Sequence, residues 1–319
     1  MKPAVAEFQS EHLAELVKIT KAAGDSLRAQ ILHALADDAF GVLELCDLFG
    51  MAQPAMSHHL KVLHEAGLVT RRKEGTTVFY QRVVHTAHAL VTTIYDELDR
   101  EPASRDLEKK LTTIHHQRNQ RSQDFFANNA DALSQQRELI CAPEVYHDTV
   151  MEIVSYAHPL RRTRALEVGP GNGLLLKSLA HQFTDVIGID SSTEVLARTA
   201  KEVEDASVKL IEQDFLRIPK TKRYDLILAA MVVHHFPSPA KFFKQARALL
   251  RKQGLIVLAE LCAHEHDWVQ AACGDLWQGF TEEQIHAWAH RAGLQIQDQQ
   301  FLAQRNGFRV QVVSMAIQP

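Results

Sequence analysis

The chain has 319 residues, 46% of them hydrophobic and 23% charged, with a formal net charge of −4. This length predicts two compact domains, and the charge excludes a polycation, so any nucleic-acid surface must be local. Apolar runs such as 226–233 fall short of the ~20 residues of a membrane span. With no apolar core in the first ten residues and four scattered cysteines, we expect a cytoplasmic protein without a membrane partner.

The first hundred residues predict a helical domain that contains a β-hairpin. Its helices are expected at residues 5–23, 26–35, 41–49, 53–66 and 84–100. Asp25 suits the N-cap of the second helix, and Gly67 takes the usual glycine position beyond the fourth. The β-like stretches 68–72 and 76–82 are joined by Lys73-Glu74-Gly75. Three helices followed by a basic hairpin predict a winged helix-turn-helix domain over residues 1–102.

The segment from Gln53 to His85 is locally basic. Its cations Lys61, Arg71, Arg72, Lys73 and Arg82 outnumber Glu65 and Glu74. In a winged helix the second motif helix enters the major groove and the wing contacts the DNA backbone. The residues expected to face DNA are Gln53, Ala55, Ser57, His58 and Lys61 on the helix, and Arg71, Arg72, Lys73 and Thr76 on the wing. Met56, Leu60 and Leu63 should pack inward. A winged helix that only contacts proteins is the alternative.

The stretch Ser-His-His-Leu-Lys-Val-Leu-His-Glu-Ala-Gly-Leu-Val, residues 57–69, resembles the arsenic-repressor (ArsR) family of bacterial regulators. The resemblance covers roughly residues 10–95 and implies a double-stranded DNA operator. Many members bind thiophilic metals through closely spaced cysteines on the third helix, but here that helix has Cys46 alone, which we interpret as a small buried residue. Any sensor should therefore lie elsewhere.

A homodimer that reads an inverted repeat is expected, because the flanking helices carry apolar faces that need a partner. Those faces consist of Leu13, Leu16 and Val17, and of Leu90, Ile94 and Leu98.

Residues 103–158 are predicted to be a mostly helical connector, and residues 159–319 a second domain. From Arg164 on, strands alternate with helices, which predicts an α/β domain with a largely parallel sheet. The strands are expected at 165–168, 186–189, 208–213, 226–230 and 255–260.

The stretch Glu167-Val-Gly-Pro-Gly-Asn-Gly173 follows a strand and opens a helix, where glycines permit a tight turn and close ligand approach. Asp190 ends the next strand and suits two ribose hydroxyls. Asp214 and Phe215 follow the third strand, where a carboxylate and a ring suit an adenine. A glycine loop alone would also fit a dinucleotide, but no second glycine cluster or phosphate-binding lysine is seen.

Together with 224–237 and 250–258, these segments resemble the class I S-adenosylmethionine-dependent methyltransferases of the ubiquinone-biosynthesis type, over about residues 120–319. The fold expected for the whole chain is thus α/β: an N-terminal winged helix-turn-helix plus a C-terminal Rossmann-like class I methyltransferase fold. The implied cofactor is S-adenosylmethionine or S-adenosylhomocysteine. The residues implied to bind it are Glu167, Gly169, Gly171, Asn172, Gly173, Asp190, Ser191, Asp214, Phe215 and Met231. A fold that has lost its ligand is the alternative.

His234 and His235 would lie near the transferred methyl group, either as a catalytic base or as pocket lining. No metal site is expected. Cys262, His264, His266 and Asp267 are interpreted as a polar loop, and His286 and His290 as a solvated helix face, because no third ligand is identifiable.

The two halves together resemble ArsR-type readers fused to a methyltransferase-like domain, among them regulators of methionine-cycle genes that respond to S-adenosylhomocysteine. The resemblance implies a transcriptional regulator, expected to be a repressor, that senses the adenosyl ligand. An active methyltransferase with an attached DNA-binding domain is the alternative, because sensing and catalysis need the same ligand-binding residues. A scaffold that uses both domains for protein contacts is a third hypothesis.

Overall fold

In the computed structural model the chain forms two compact units, Met1–His115 and His116–Pro319. The structure describes residues 11–74, 76–84, 88–157, 160–204 and 206–318, without the side chains of 123, 126–138, 267, 270 and 271. The expected helix start at 5–10, the turn residue Gly75 and His85 lie outside the described residues.

The first unit combines helices with a small sheet. Its helices are α1 (Glu11–Ala23), α2 (Ser26–Ala34), α3 (Val42–Phe49), α4 (Gln53–Glu65), α5 (Ala89–Arg100) and the beginning of α6 (Arg105–Ile140). Its strands are β1 (Phe40–Gly41), β2 (Val69–Glu74) and β3 (Thr77–Arg82). They form an antiparallel sheet in the order β1-β3-β2. This arrangement confirms the predicted winged helix-turn-helix.

The hairpin is anchored to the helices by a buried cation. Arg82 is 2% exposed, and its guanidinium donates to the carbonyl of Leu32 at 2.6 Å and to Asp99 at 2.8 Å. The same group lies over the ring of Tyr95. Arg82 therefore stabilises the domain and does not contribute to a basic outer surface, which corrects its inclusion among the surface cations.

The second unit alternates helices and strands. Its helices, after the remainder of α6, are α7 (Glu144–Tyr156), α8 (Leu174–Ala180), α9 (Thr193–Glu202), α10 (Pro239–Leu249), α11 (Asp267–Cys273) and α12 (Glu282–Arg291). Its strands are β4 (Arg164–Val168), β5 (Asp185–Asp190), β6 (Val208–Glu212), β7 (Tyr224–Ala230), β8 (Leu250–Leu261), β9 (Leu294–Ala303) and β10 (Arg309–Ile317).

These strands form one seven-stranded sheet in the order β6-β5-β4-β7-β8-β10-β9. The first five are parallel, and β10 pairs antiparallel with both β8 and β9. The chain leaves β4 to build β5 and β6 on one side and then returns to place β7 on the other. In such sheets the crevice at the carboxyl ends of the strands, where the order reverses, is the usual ligand site.

Two strands of the second unit, β9 and β10, were not predicted from the sequence, nor was the short β1 of the first unit. β9 is an edge strand in which half of the residues are polar and nearly all are at least partly exposed, so it lacks a long apolar run. β10 is buried over Val310–Met315 and fills the space between β8 and β9. The expected Rossmann-like fold is confirmed and carries an antiparallel edge.

Candidate functional site

Helix α4 presents a polar surface and buries an apolar one. Met56, Leu60 and Leu63 are completely buried in the core of the first unit, as predicted. The residues that were predicted to face DNA on this helix are all exposed, namely Gln53, Ala55, Ser57, His58 and Lys61. The 3.6-residue period of the helix separates the two sets.

The three cations of β2 have two different roles. Arg71 and Lys73 are exposed, as is Thr76 at the turn. Arg72 lies two residues from Glu74 on the same face of β2, and its Nε donates to the Glu74 carboxylate at 2.7 Å. The Glu74 side chain is 1% exposed, so Arg72 holds a buried carboxylate. The wing cations most available to phosphate are therefore Arg71 and Lys73.

Cys46 lies half-buried on α3, beside the core of the first unit. Burial and the neighbouring Asp47 raise the pKa of its thiol. Its position beside the core is that of a packing residue.

The predicted glycine loop follows β4 and takes a left-handed backbone. Gly169, Gly171 and Gly173 have φ values of 66°, 53° and 76°. At Gly169 a Cβ would lie 2.5 Å from Cγ2 of Val232, so glycine is required there both for its φ and for space. The Asn172 side chain accepts the backbone N–H of Leu174 at 3.2 Å. The loop thus presents bare backbone at the carboxyl end of the sheet.

Glu167 lies near the end of β4, just before this loop, and its side chain is buried. It is 2% exposed, and its Oε2 has no hydrogen-bond partner among the described residues. Burial holds the pKa of its carboxyl well above the usual value. A buried carboxyl without a donor is costly, so a cationic ligand group beside it would be stabilised.

A cavity lies between the glycine loop and the segments that follow β7 and β8. Its lining consists of Ile140, Cys141, Pro143, Tyr146, Glu167, Gly169, Pro170, Gly171, Asn172, Leu174, Leu175, Ala230, Met231, His234, Leu261, Cys273 and Asp275. Met231 has φ 52°, the one positive value of a non-glycine residue among those described, and such strain often marks a functional position. Of the residues predicted to bind the ligand, the lining includes those of the glycine loop up to Asn172, with Glu167 and Met231.

The remaining predicted ligand residues lie outside this lining. The Oδ1 of Asp190 accepts the backbone N–H of Ser192 at 2.8 Å, next to the exposed Ser191. Asp214 accepts the backbone N–H of Leu216 at 2.8 Å. Gly173 is buried as the N-cap of α8.

Phe215 is placed in the core rather than beside an open site. Its ring is 3% exposed and packs against the rings of Phe236 and Phe242. This placement leaves the ring almost no surface for stacking on an adenine.

The cavity also contains side chains that were not predicted. Cys141 and Tyr146 contribute from the region of α7, and Cys273 and Asp275 from the end of α11. Burial raises the pKa of Cys141 to about 12 and raises that of Tyr146 further. Both groups are neutral at physiological pH. No signal in the sequence near the glycine loop indicates them, because they come from distant segments.

His234 is held in one orientation by a buried carboxylate. Its Nδ1 lies 2.6 Å from Oε2 of Glu260, and the other oxygen of Glu260 accepts the backbone N–H groups of Val232 and Val233. A carboxylate can only accept, so Nδ1 carries a proton, and in the neutral imidazole the lone pair is on Nε2. The carbonyl of His234 accepts the backbone N–H groups of Leu276 and Trp277, which brings Asp275 beside the histidines.

The other predicted polar clusters have local roles. His264 and His266 pack against the ring of Phe308, and His286 contacts Gln299 at 2.6 Å. His290 is exposed, and the side chain of Asp267 lies outside the described residues.

Comparison with known proteins agrees with this division. A family model described as a methyltransferase domain matches residues 114–299, and one described as a bacterial regulatory protein of the arsR family matches residues 25–71. The chain therefore belongs to the methyltransferase-domain family, and its first unit is an ArsR-family helix-turn-helix domain. Membership agrees with the methyltransferase fold predicted for the second unit.

Individual relatives match one half or the other. The uncharacterized HTH-type transcriptional regulator MJ1325 of Methanocaldococcus jannaschii is 38% identical over 89 residues, which are 28% of this chain and 99% of that protein. A ubiquinone biosynthesis O-methyltransferase of Glaesserella parasuis is 27% identical over 106 residues, 31% of this chain and 45% of that enzyme. Apart from MJ1325, the chain spans about half to two thirds of the length of the first relatives that it matches.

Among solved structures, magnesium protoporphyrin IX methyltransferase (ChlM) from Synechocystis PCC 6803 with bound S-adenosylhomocysteine is similar to 61% of this chain. The match covers 96% of ChlM, with 17% identity and a TM-score of 0.47. Across the described ranges of this chain, no helix is long and apolar enough to cross a membrane.

Proposed function

We propose that this chain is a cytoplasmic transcriptional regulator whose methyltransferase unit senses S-adenosylmethionine or S-adenosylhomocysteine. One chain contains both an exposed reading helix, α4, and a glycine-loop cavity with a buried carboxyl. Regulation by a ligand needs a binding site linked to the DNA-binding domain, and this cavity supplies one without requiring a metal site on α3. On the resemblance to methionine-cycle regulators, we propose genes of that cycle as its targets.

The observation that carries the proposal is the fit between the cavity and an adenosyl amino acid. Oε2 of Glu167 has no hydrogen-bond partner among the described residues, which suits the ammonium group of the methionine part. Gly169, Gly171 and Asn172 would lie against the same part of the ligand. Asp190, at the end of β5, would accept the ribose hydroxyls, and Asp214, after β6, would serve the adenine amine.

The test is DNA binding titrated with each ligand separately, at one salt concentration, because salt alone changes protein–DNA affinity. We expect operator affinity to change on saturation with S-adenosylmethionine, S-adenosylhomocysteine or both. Because coupling is reciprocal, operator DNA should change ligand affinity by the same factor. A scrambled duplex serves as the control. Operator affinity that is equal with either ligand and without them would refute sensing.

An active methyltransferase is a second candidate, and one observation favours it. The hydrogen bond from Nδ1 of His234 to Glu260 leaves Nε2 as an acceptor beside the cavity, which is the form that a general base requires. Formation of S-adenosylhomocysteine from S-adenosylmethionine, in the presence of small oxygen or nitrogen nucleophiles, would establish this activity. Its absence together with a DNA response would support sensing alone.

A further inference from the structure

Three side chains of the second unit converge at one side of the cavity. Asp275 Oδ1 lies 3.6 Å from Nε2 of His234 and 3.8 Å from Nδ1 of His235, and the three side chains are 3%, 5% and 10% exposed. One ligand atom from each of the three residues lies within 4.8 Å of the other two. We propose that this cluster is a binding site for a divalent first-row transition ion such as Zn²⁺.

The two distances from Oδ1 of Asp275 suit ligand atoms that share one ion. Both nitrogen–oxygen separations exceed the usual length of a hydrogen bond, which is about 2.7–3.2 Å. Ligand atoms lie ~2.0–2.2 Å from Zn²⁺, so two ligands of one tetrahedral ion are about 3.4 Å apart. The observed 3.6 and 3.8 Å require only a small contraction around the ion.

Glu260 supplies the support that metal-binding histidines usually have. It accepts from Nδ1 of His234 at 2.6 Å, so the proton is kept on Nδ1 and Nε2 points its lone pair towards the side of Asp275. A histidine ligand whose second nitrogen donates to a carboxylate is the common arrangement around zinc. Glu260 is held in turn by two backbone N–H groups, of Val232 and Val233.

The charge of the cluster also favours a cation. Glu260 and Asp275 are both buried carboxylates, with 0% and 4% exposure. Hydrogen bonds and positive charge both offset the cost of burying a carboxylate, and Glu260 already accepts hydrogen bonds from Val232, Val233 and His234. A divalent ion beside two neutral imidazoles would add positive charge next to Asp275.

The ligand set indicates the kind of ion. Two imidazoles and one carboxylate suit zinc, iron or nickel rather than magnesium or calcium, which prefer oxygen ligands. Three protein ligands leave a coordination position open, as in catalytic rather than structural zinc sites. Because His234 and Asp275 line the cavity, that position would accept water or a donor atom of a second small ligand.

The test uses the full chain, freed of metal with a chelator and then titrated with Co²⁺ and, separately, with Zn²⁺. We expect about one ion per chain at this site, with the intense visible absorption of four-coordinate Co²⁺. Asp275→Asn and His235→Gln should each weaken binding by at least about ten-fold. Glu260→Gln should do so as well, because its amide would donate to Nδ1 and move the proton to Nε2.

A matched control is a substitution in the second cluster of residues that could hold a metal ion. Among the described side chains, His12, Glu15 and His88 also place ligand atoms within 4.8 Å of one another, on and near helices of the first unit. His12→Gln should leave the Co²⁺ spectrum of the second-unit site unchanged. Thermal unfolding of each metal-free variant shows whether it is folded.

Two results would overturn the proposal. One is the lack of stoichiometric binding by the wild-type chain, in which case the two histidines act without an ion. The other is binding that survives in folded Asp275→Asn and His235→Gln but is lost in His12→Gln. The operator response to the adenosyl ligands, measured on the same samples, is independent, so either result leaves the proposed regulation standing.

Discussion

Replacing Asp190 with Asn tests the proposed ribose contact with little disturbance of the fold. Asp190 uses Oδ1 to accept the backbone N–H of Ser192 at 2.8 Å. Asn retains one side-chain oxygen for this hydrogen bond, whereas its NH₂ group cannot accept from a hydroxyl. The substitution therefore removes the negative charge and one acceptor but preserves the turn that leads from β5 into α9.

The expected loss follows from the hydrogen bond that disappears. A hydrogen bond to a charged group contributes about 1.5–3 kcal/mol, and each ~1.4 kcal/mol changes affinity ten-fold. The ligand affinity should thus fall roughly ten- to a hundred-fold. Because Asp190 is only half-buried, we expect the lower part of that range.

The assay is calorimetric titration with S-adenosylhomocysteine, followed by operator binding at the ligand concentration that saturates the wild-type chain. Asp185→Asn is the matched control. Asp185 starts the same strand, about 16 Å away, and forms ion pairs with Arg164 and Lys209. The control should bind ligand normally, although Arg164 and Lys209 lower the pKa of Asp185 and link it to stability.

Asp190→Asn should bind operator DNA with unchanged affinity but no longer respond at the former ligand concentration. Ligand affinity that is the same in Asp190→Asn, Asp185→Asn and the wild type would refute the ribose contact. Lost operator binding in the absence of ligand would show instead that the substitution damages the chain.

Three further outcomes are expected. Lys73→Ala should weaken binding to every DNA sequence and reduce the salt dependence by about one counterion per lost phosphate contact, whereas Ser57→Ala should change base preference by ~1–3 kcal/mol. Binding to a panel of duplexes at several salt concentrations separates the two effects. A change of base preference in Lys73→Ala and a uniform loss in Ser57→Ala would contradict the assignment. Burial raises the pKa of Glu167, so above the usual carboxyl pKa the folded chain retains a proton that the unfolded chain releases, and the free energy of unfolding falls as pH rises. Glu167→Gln should reduce this pH dependence of the free energy of unfolding and should also weaken ligand binding. Stability is measured by urea unfolding, followed through the fluorescence of the three tryptophans, which all lie in the second unit. Finally, light scattering at micromolar concentration should show a homodimer. A monomer that binds as one chain per operator would exclude the expected binding of a dimer to an inverted repeat.

The dimer prediction shows how tertiary packing changes the interpretation of an apolar pattern. Leu90, Ile94 and Leu98 were expected to pack against the second copy of a dimer, but all three are partly buried against the core of their own unit. Leu13 on α1 remains 41% exposed. Periodicity identifies an apolar face, but it does not distinguish a neighbour in the same chain from a second copy.

Local patterns in the sequence determined the elements and the residues that depend on backbone conformation. The period of α4 separated Met56, Leu60 and Leu63 from the polar face, because a helix repeats every 3.6 residues whatever it packs against. The glycine loop was recognisable because only glycine adopts its left-handed backbone without cost. The winged helix-turn-helix and the α/β sheet were predictable for this reason, whereas the regulator and methyltransferase assignments came from the resemblance of motifs to known families.

Burial and the contacts between distant segments were decided only by the tertiary structure. Arg72 was assigned to DNA from its charge, yet it pairs with a Glu74 that the packing of the wing buries. His234 and His235 lacked a third ligand in the sequence, since Asp275 follows about 40 residues later. Backbone hydrogen bonds from Leu276 and Trp277 to His234 bring that carboxylate to the histidines. The free energy of such a contact depends on burial and chain topology, which no local pattern records.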